Sequence, residues 1–161
     1  MTDGSPRVVV RAATAADEAA VFALTWRLAA FPLPGHRTAH DVARSDDAIL
    51  REAFASPSPA TCLVVADDGG AVVGYVFATT RTDYFTGAPY GYIENLAVAE
   101  GTTGRGIARA LMEAAESWAA GRGYDQVALN VFAANERARA VYARRGYEPE
   151  LIRLRKPIAR G

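Results

Sequence analysis

Apolar positions along the chain change period several times, and each change marks a boundary. Val8, Val9 and Val10 are consecutive β-branched residues between arginines and read as a first strand. Thr14 with Asp17 three residues on has the spacing of a capping box, which predicts a helix from about Ala15. Within it Val21, Leu24 and Leu28 give one apolar face until Phe31, Pro32, Pro34 and Gly35 break the run. A second helix is expected from about His40 to Ala55, marked by Val42, Ile49, Ala53 and Phe54 and closed by Pro57 and Pro59. Two β-rich runs, Thr61 to Ala66 and Ala71 to Thr80, flank Asp67, Asp68, Gly69 and Gly70 and predict a hairpin.

Beyond that hairpin, Asp83 to Pro89 reads as a loop, Tyr90 to Val98 as a strand, and Gly101 to Gly106 as a glycine-rich connection. Ile107, Leu111, Ala115 and Trp118 fall on one helical face, and Gly121 and Gly123 end it. Gln126 to Val131 reads as a strand, Asn135 to Arg145 as a helix with an Asn cap and Gly146 past its end, and Glu150 to Lys156 as a last strand. The order is strand, two helices, three strands, helix, strand, helix, strand. Consecutive strands in the middle favour a mixed sheet flanked by helices over a doubly wound parallel one. With no repeat, low-complexity tract or linker, residues 1–161 are expected to form a single α/β domain.

Composition narrows the function classes. Hydrophobic residues make up 50% and charged residues 22%, values of an ordinary globular chain. Eighteen Lys and Arg balance eighteen Asp and Glu, so no global basic field exists to attract nucleic acid. No apolar run is long enough for a membrane span, and residues 1–7 lead into no signal-like stretch, so the expected location is cytoplasmic. Cys62, the single cysteine, lies in an apolar run and reads as a buried inert thiol rather than a nucleophile. His36 and His40 have four-residue spacing but no third ligand, and no metal site is expected. Trp26 suits either the core or the wall of a pocket. The acids Asp41, Asp46, Asp47 and Glu52 read as the solvated face of their helix.

The connection EGTTGRGIARAL, residues 100–111, carries the first chemical signal. A phosphate-binding P-loop needs Lys and then Ser or Thr after its last glycine, and Ile107 and Ala108 stand there instead. A dinucleotide fingerprint needs a third glycine where Arg109 is found. What remains is a helix start with two glycines, two arginines and no acid between residues 104 and 109, the reverse of what the helix dipole favours. An anion bound by the backbone N–H groups beside Gly104 and Gly106, flanked by Arg105 and Arg109, accounts for this; a tight turn with two solvated arginines is the plain alternative. The second signal is NERARAVYARRGYEP, residues 135–149, which sets Ala138 and Tyr142 on one face of a helix capped by Asn135.

Taken together, these segments resemble the GNAT superfamily of acyl-CoA-dependent N-acyltransferases, most closely over residues 90–150. The family's acyl-CoA loop falls on Thr103, Gly106 and Ala108, with Thr103 departing from the usual Gln or Arg; its later motif falls on Asn135, Ala138, Tyr142, Gly146 and Tyr147. The resemblance implies a central mixed, mostly antiparallel sheet with a V-shaped opening between the strands ending at Val98 and Val131. It implies acetyl-CoA as cosubstrate. Main-chain groups of Leu96, Ala97 and Val98 would pair with pantetheine, Thr103, Gly104, Arg105, Gly106, Ile107, Ala108 and Arg109 would hold the pyrophosphate, and Asn135 would touch the pantetheine arm.

Acetyl transfer to an amine then asks two things of the side chains. A primary amine titrates near ~10.4 and must lose a proton before it attacks. Glu94, in the otherwise apolar strand of Ile93, Leu96 and Val98, is the candidate base, because desolvation there would raise its pKa. The departing thiolate has a conjugate acid near ~8.5, for which a phenol such as Tyr142 is a suitable donor, and main-chain N–H from Leu96 or Ala97 would polarise the carbonyl. The expected partner is a small-molecule or peptide amine, selected by residues 26–45 and 81–91; a homodimer is compatible with this reading. A non-catalytic acyl-CoA-binding module is the alternative from another class.

Overall fold

In a computed structural model of the chain, which describes residues 8–102 and 104–159, a five-stranded sheet is packed between helices. Its strands are β1 (Val9–Ala12), β2 (Thr61–Asp68), β3 (Ala71–Thr82), β4 (Pro89–Val98) and β5 (Val127–Leu129), side by side in chain order. Pairs β1–β2, β2–β3 and β3–β4 are antiparallel and β4–β5 is parallel: the sheet is mixed, as the element order predicts, and mostly antiparallel, as the resemblance implies. The helices are α1 (Glu18–Leu24), α2 (Ala39–Ala55), α3 (Ile107–Gly121) and α4 (Glu136–Arg144), with short 3-10 turns at Ala15–Asp17 and Thr25–Ala29. Among the described residues no helix is long and apolar enough to cross a membrane.

The local signals act where expected. The hairpin turns on Gly69 and Gly70, whose φ angles of 65° and 97° fit the twist of the flanking strands. Thr14 donates from its backbone N–H and its hydroxyl to Asp17 Oδ2, at 2.8 and 3.0 Å, and the chain turns into helix at Ala15. Thr38 and Asp41 repeat that device at the start of α2.

Each face of the sheet buries its own cluster. Val21 and Leu24 of α1 and Leu50 and Ala53 of α2 pack on Val65, Tyr75, Phe77 and Ala97. On the opposite face Ile107, Leu111 and Ala115 of α3 pack on Cys62, Ala66, Val76, Ala78 and Ile93. Two strand glycines let α3 come this close. A Cβ on Gly91 would stand 2.9 Å from the Cβ of Ala119, and one on Gly74 would stand 3.1 Å from Leu111 Cδ1. Cys62 is buried and its thiol is pushed up to about 11 by desolvation, as an inert core thiol should be.

Two expected strands differ. The run Gln126 to Val131 yields only the three residues of β5. Glu150 to Lys156 forms no strand: the segment has no regular secondary structure, and Leu151, Ile152 and Leu154 are at least 75% exposed. The free edge of β5 offers too short a ladder to recruit it, and Pro157 beyond it has no N–H to donate.

Candidate functional site

Parallel pairing of β4 with β5 runs from Gly91, opposite Val127, to Ile93, opposite Leu129, and stops. From there β4 continues along β3 to Val98, so its other edge has no sheet partner beyond Ile93. A cavity of about 220 Å³ opens at this divergence, walled by Phe31, Val42 and Asp46 on one side, Glu94, Asn95 and Leu96 along the floor, and Phe132, Asn135 and Tyr142 opposite. A second cavity, about 140 Å³, is lined by Leu151 and by Thr82, Asp83, Tyr84, Phe85 and Tyr90 from the 81–91 segment, and contains none of the candidate catalytic or cofactor-binding residues.

The floor owes its chemistry to a β-bulge. Phe77 faces Asn95 and the adjacent Ala78 faces Ile93, so Glu94 is the extra residue on β4. A regular strand would send Glu94 and Asn95 to opposite faces. Here Glu94 accepts from Thr79 Oγ1 at 2.7 Å and from the Arg81 guanidinium at 2.8 to 3.1 Å, while Asn95 donates to Asp46 Oδ1 of α2 at 2.8 Å. Both polar side chains therefore line one cavity. Arg81 neutralises Glu94 from the solvent side and also stacks on the Tyr92 ring, 3.6 Å from its centroid.

Asp46 does not lie on a solvated helix face. It is half-buried, and desolvation holds its carboxyl above the usual carboxylate range; the hydrogen bond from Asn95 opposes this shift, and Asp47 and Glu94 reinforce it. Asp47 Oδ1, Asn95 Oδ1 and the hydroxyl of the fully buried Tyr75 are enclosed without a hydrogen-bond partner. Sequence reasoning missed Asp46 and Asn95, although two adjacent polar residues at 94 and 95 interrupt an apolar strand and are the signal of a bulge.

Tyr142 reaches the cavity from α4, whose residues are never fully buried. Burial of the phenol itself raises its pKa above the ordinary value. Ion pairs hold this helix in place: Arg145 donates to Glu113 Oε1 at 3.0 Å and to Glu116 Oε2 at 2.6 Å, both on α3, and Tyr147 donates to Glu116 Oε1 at 3.1 Å. The Tyr147 ring in turn tilts against that of Tyr142, with centroids 5.9 Å apart. Asn135 caps the helix by accepting from Ala138 N–H with Oδ1, which leaves its amide nitrogen without a partner among the described residues.

The glycine loop stands at the other end of β4. Gly104 and Gly106 have φ of 85° and 72°, the left-handed region, and a Cβ at either would meet nothing within 4 Å. Their backbone, not their packing, requires glycine. Gly106 caps α3 with no side-chain hydrogen bond to the first-turn N–H groups at Ile107, Ala108 and Arg109. The flanking arginines are not free: Arg105 pairs with Asp68 at 2.6 Å and Arg109 with Glu113 at 3.0 Å. Thr103 lies outside the described residues. Main chain at Leu96, Ala97 and Val98 runs between loop and cavity, with the Val98 carbonyl accepting from Arg27 Nε at 3.2 Å. Trp26 is 53% exposed, is stacked by Arg27, and belongs neither to the core nor to the cavity wall.

Residues 22–147 match the model of the acetyltransferase (GNAT) family. The chain is 34% identical over 151 residues to a mycothiol acetyltransferase of Beutenbergia cavernae; the match covers 92% of this chain and 47% of that protein, so the chain spans about half the length of the curated relative. Its fold is similar to that of an aminoglycoside N-acetyltransferase solved with CoA, at 22% identity and a TM-score of 0.73, covering 98% of this chain and 99% of that one. A GCN5-related N-acetyltransferase from Ralstonia eutropha is 27% identical, with a TM-score of 0.71 over 94% of this chain and 98% of its own.

Proposed function

Since the chain belongs to the GNAT family of acetyltransferases, we propose that it moves the acetyl group of acetyl-CoA onto a primary amine by direct attack in a ternary complex. One observation carries the reading: a carboxylate, a phenol and an unpaired strand edge converge on one cavity, at the end of the strand that leads to an uncapped helix start.

The chain's own groups fit this cosubstrate. Backbone N–H at Gly104, Ile107, Ala108 and Arg109 would receive the pyrophosphate, helped by the helix dipole. Arg105 and Arg109 would serve it by exchanging their carboxylate partners for phosphate, since both pairs are partly solvated and weak. The edge of β4 at Leu96 to Val98, which has no strand partner and whose Val98 carbonyl Arg27 would release, would pair with the pantetheine amides, and the Asn135 amide would donate to the same arm. Bound there, acetyl-CoA supplies the activated acyl carbon.

Glu94 takes the proton of the incoming amine, directly or through a water, after Arg81 releases one carboxylate oxygen. Arg81 is 45% exposed and has room to swing outward. The amine nitrogen forms its bond to the acyl carbon while main-chain N–H at Leu96 or Ala97 polarises the carbonyl oxygen. Tyr142 gives its proton to sulfur as the carbon–sulfur bond breaks. Its raised pKa keeps the phenol protonated at neutral pH until that moment. The second proton that the nitrogen sheds on becoming an amide restores the phenol.

Thermal melting with and without acetyl-CoA, combined with amine-dependent thiol release, tests the reading. Ligand at 100 times its dissociation constant should add about 2.7 kcal/mol of stability. Gly106→Glu should remove that gain and Gly106→Ala keep most of it, because both carry the same left-handed strain and only one brings negative charge to the site. A midpoint indifferent to acetyl-CoA overturns the cosubstrate assignment. Binding without thiol release to any amine overturns the catalytic half.

A further inference from the structure

Asp46 is a cavity carboxylate for which acetyl transfer as written has no use. Six other carboxylates are neutralised by arginine: Asp17 and Asp67 by Arg11, Asp68 by Arg105, Glu94 by Arg81, Glu113 and Glu116 by Arg145. Among the described residues Asp46 has Asn95 as its hydrogen-bond partner and no cation. The groups around it deepen the deficit. Asp47 stands beside it on α2, Glu94 adds a second carboxylate from β4, and Tyr75 from β3 brings a hydroxyl with no partner. Arg27, the cation in the cavity wall, is turned to the Val98 carbonyl and to Glu100. An unneutralised carboxylate in a partly dry wall is costly unless something positive arrives to pair with it.

A second observation independently points to a ligand. Asn95 is 3% exposed and its Oδ1 is enclosed with no donor, because the other end of the amide is committed to Asp46. Asp46, Glu94 and the Asn95 carbonyl thus present acceptors only, in one cavity. An ammonium is the complementary group, with N–H donors and no acceptor.

We propose that Asp46, oriented by Asn95, is the counter-ion that selects the acceptor as a cation: a compact amine protonated at neutral pH enters as its ammonium, pairs with Asp46, and gives up its proton within the same cavity. The direction of the chemistry rests on the acetyl-transfer reading; the cation site does not. The acceptor class is thereby narrowed to strongly basic primary amines, with aryl amines, hydrazides and other amines neutral at physiological pH excluded. Phe31, Val42 and Phe132 leave an apolar wall for the carbon body that bears the nitrogen.

Calorimetry on the CoA-loaded protein with kanamycin, spermidine and lysine amide tests this, with the forms acetylated on every amine as neutral controls. At least one of the free amines should bind and its acetylated form should not, and Asp46→Asn should weaken binding about tenfold or more. Asn keeps an acceptor for Asn95, so acetyl-CoA affinity and the melting midpoint report whether the variant is folded. In turnover, the ratio of kcat/KM for ethylamine over its weakly basic trifluoro analogue should fall about tenfold in Asp46→Asn, a charge-selective change that a merely structural residue would not produce. Failure of all three amines to bind, or an unchanged ratio and affinity in Asp46→Asn, overturns the proposal while leaving acetyl transfer intact. Asp46-dependent amine binding with no acetyl transfer does the opposite: the cation site stands and the enzymatic reading falls.

Discussion

Tyr142 and Glu94 would handle protons in opposite senses, and their surroundings suit them to it differently. The phenol is desolvated and bears its proton at neutral pH, whereas the carboxylate accepts hydrogen bonds from a guanidinium and a threonine hydroxyl. Removing each should leave a distinct trace in the pH–rate profile. Tyr142→Phe keeps the ring against Tyr147 and should depress the height of the profile by roughly 10²-fold; Glu94→Gln should flatten its acidic limb, since the base must be ionised to act. Steady-state rates with a verified acceptor under chemistry-limited conditions check both. Wild-type turnover in Tyr142→Phe would reduce that residue to a packing role.

At the scale of elements, the sheet and α3 meet through missing atoms. A methyl group at Gly91 would overlap Ala119, and both partners are backbone-fixed, so neither can swing away. Gly91→Ala should cost about 1–3 kcal/mol by denaturant unfolding, and Ala119→Gly in the same chain should recover part of it despite the poorer helix propensity of glycine. A Gly91→Ala midpoint equal to wild type would mean that the helix shifts freely on the sheet. Elements were legible in the sequence wherever a local device set them: Thr14 with Asp17, the Gly69–Gly70 turn, Asn135 and Gly146 around α4. What was not legible depended on partners distant in the chain. The run from Glu150 to Lys156 has strand-like residues, yet a strand is made by an available edge, and β5 supplies only three residues of one. Likewise Asp46 looks like any acid on an amphipathic helix until Asn95, 49 residues on, faces it. The motifs that place Tyr142 and the glycine loop are contiguous and could be read; the bulge that assembles the cavity floor left only the adjacent polar pair Glu94 and Asn95 as a local sign, while its register against β3 and its contact with α2 depend on distant partners.

For the whole molecule, acid stability should turn on the junction of β1, the Ala15 turn and the β2 end. Arg11 bridges Asp17 and Asp67, and Asp17, only 8% exposed at its side chain, also accepts from Thr14. Hydrogen bonds from the Arg11 guanidinium hold the Asp17 carboxyl well below the usual carboxylate range. A depressed folded value means that the unfolded chain binds the proton first. The contribution is therefore complete above about pH 4, the ordinary carboxylate value, and disappears as pH falls toward the folded one. Asp17→Asn should lower the melting midpoint by several degrees at neutral pH, and the gap to wild type should close in the acid range. A gap that stays constant down to the acid transition would assign Asp17 a packing role without charge.

The bulge at Glu94 has a bearing on how such a chain changes over generations. Between Ile93 and Asn95, β4 spends one residue more than β3 spends between Ala78 and Phe77. Deletion of codon 94 would therefore restore an unbroken ladder without shifting the faces on either side, whereas most substitutions there keep the surplus residue and alter only its chemistry. Loss of the carboxylate by substitution is repairable in one reverse step. Loss by deletion leaves a sheet that is structurally regular and has no vacancy into which a base could return, so the irregularity in the strand is itself the heritable part of the site.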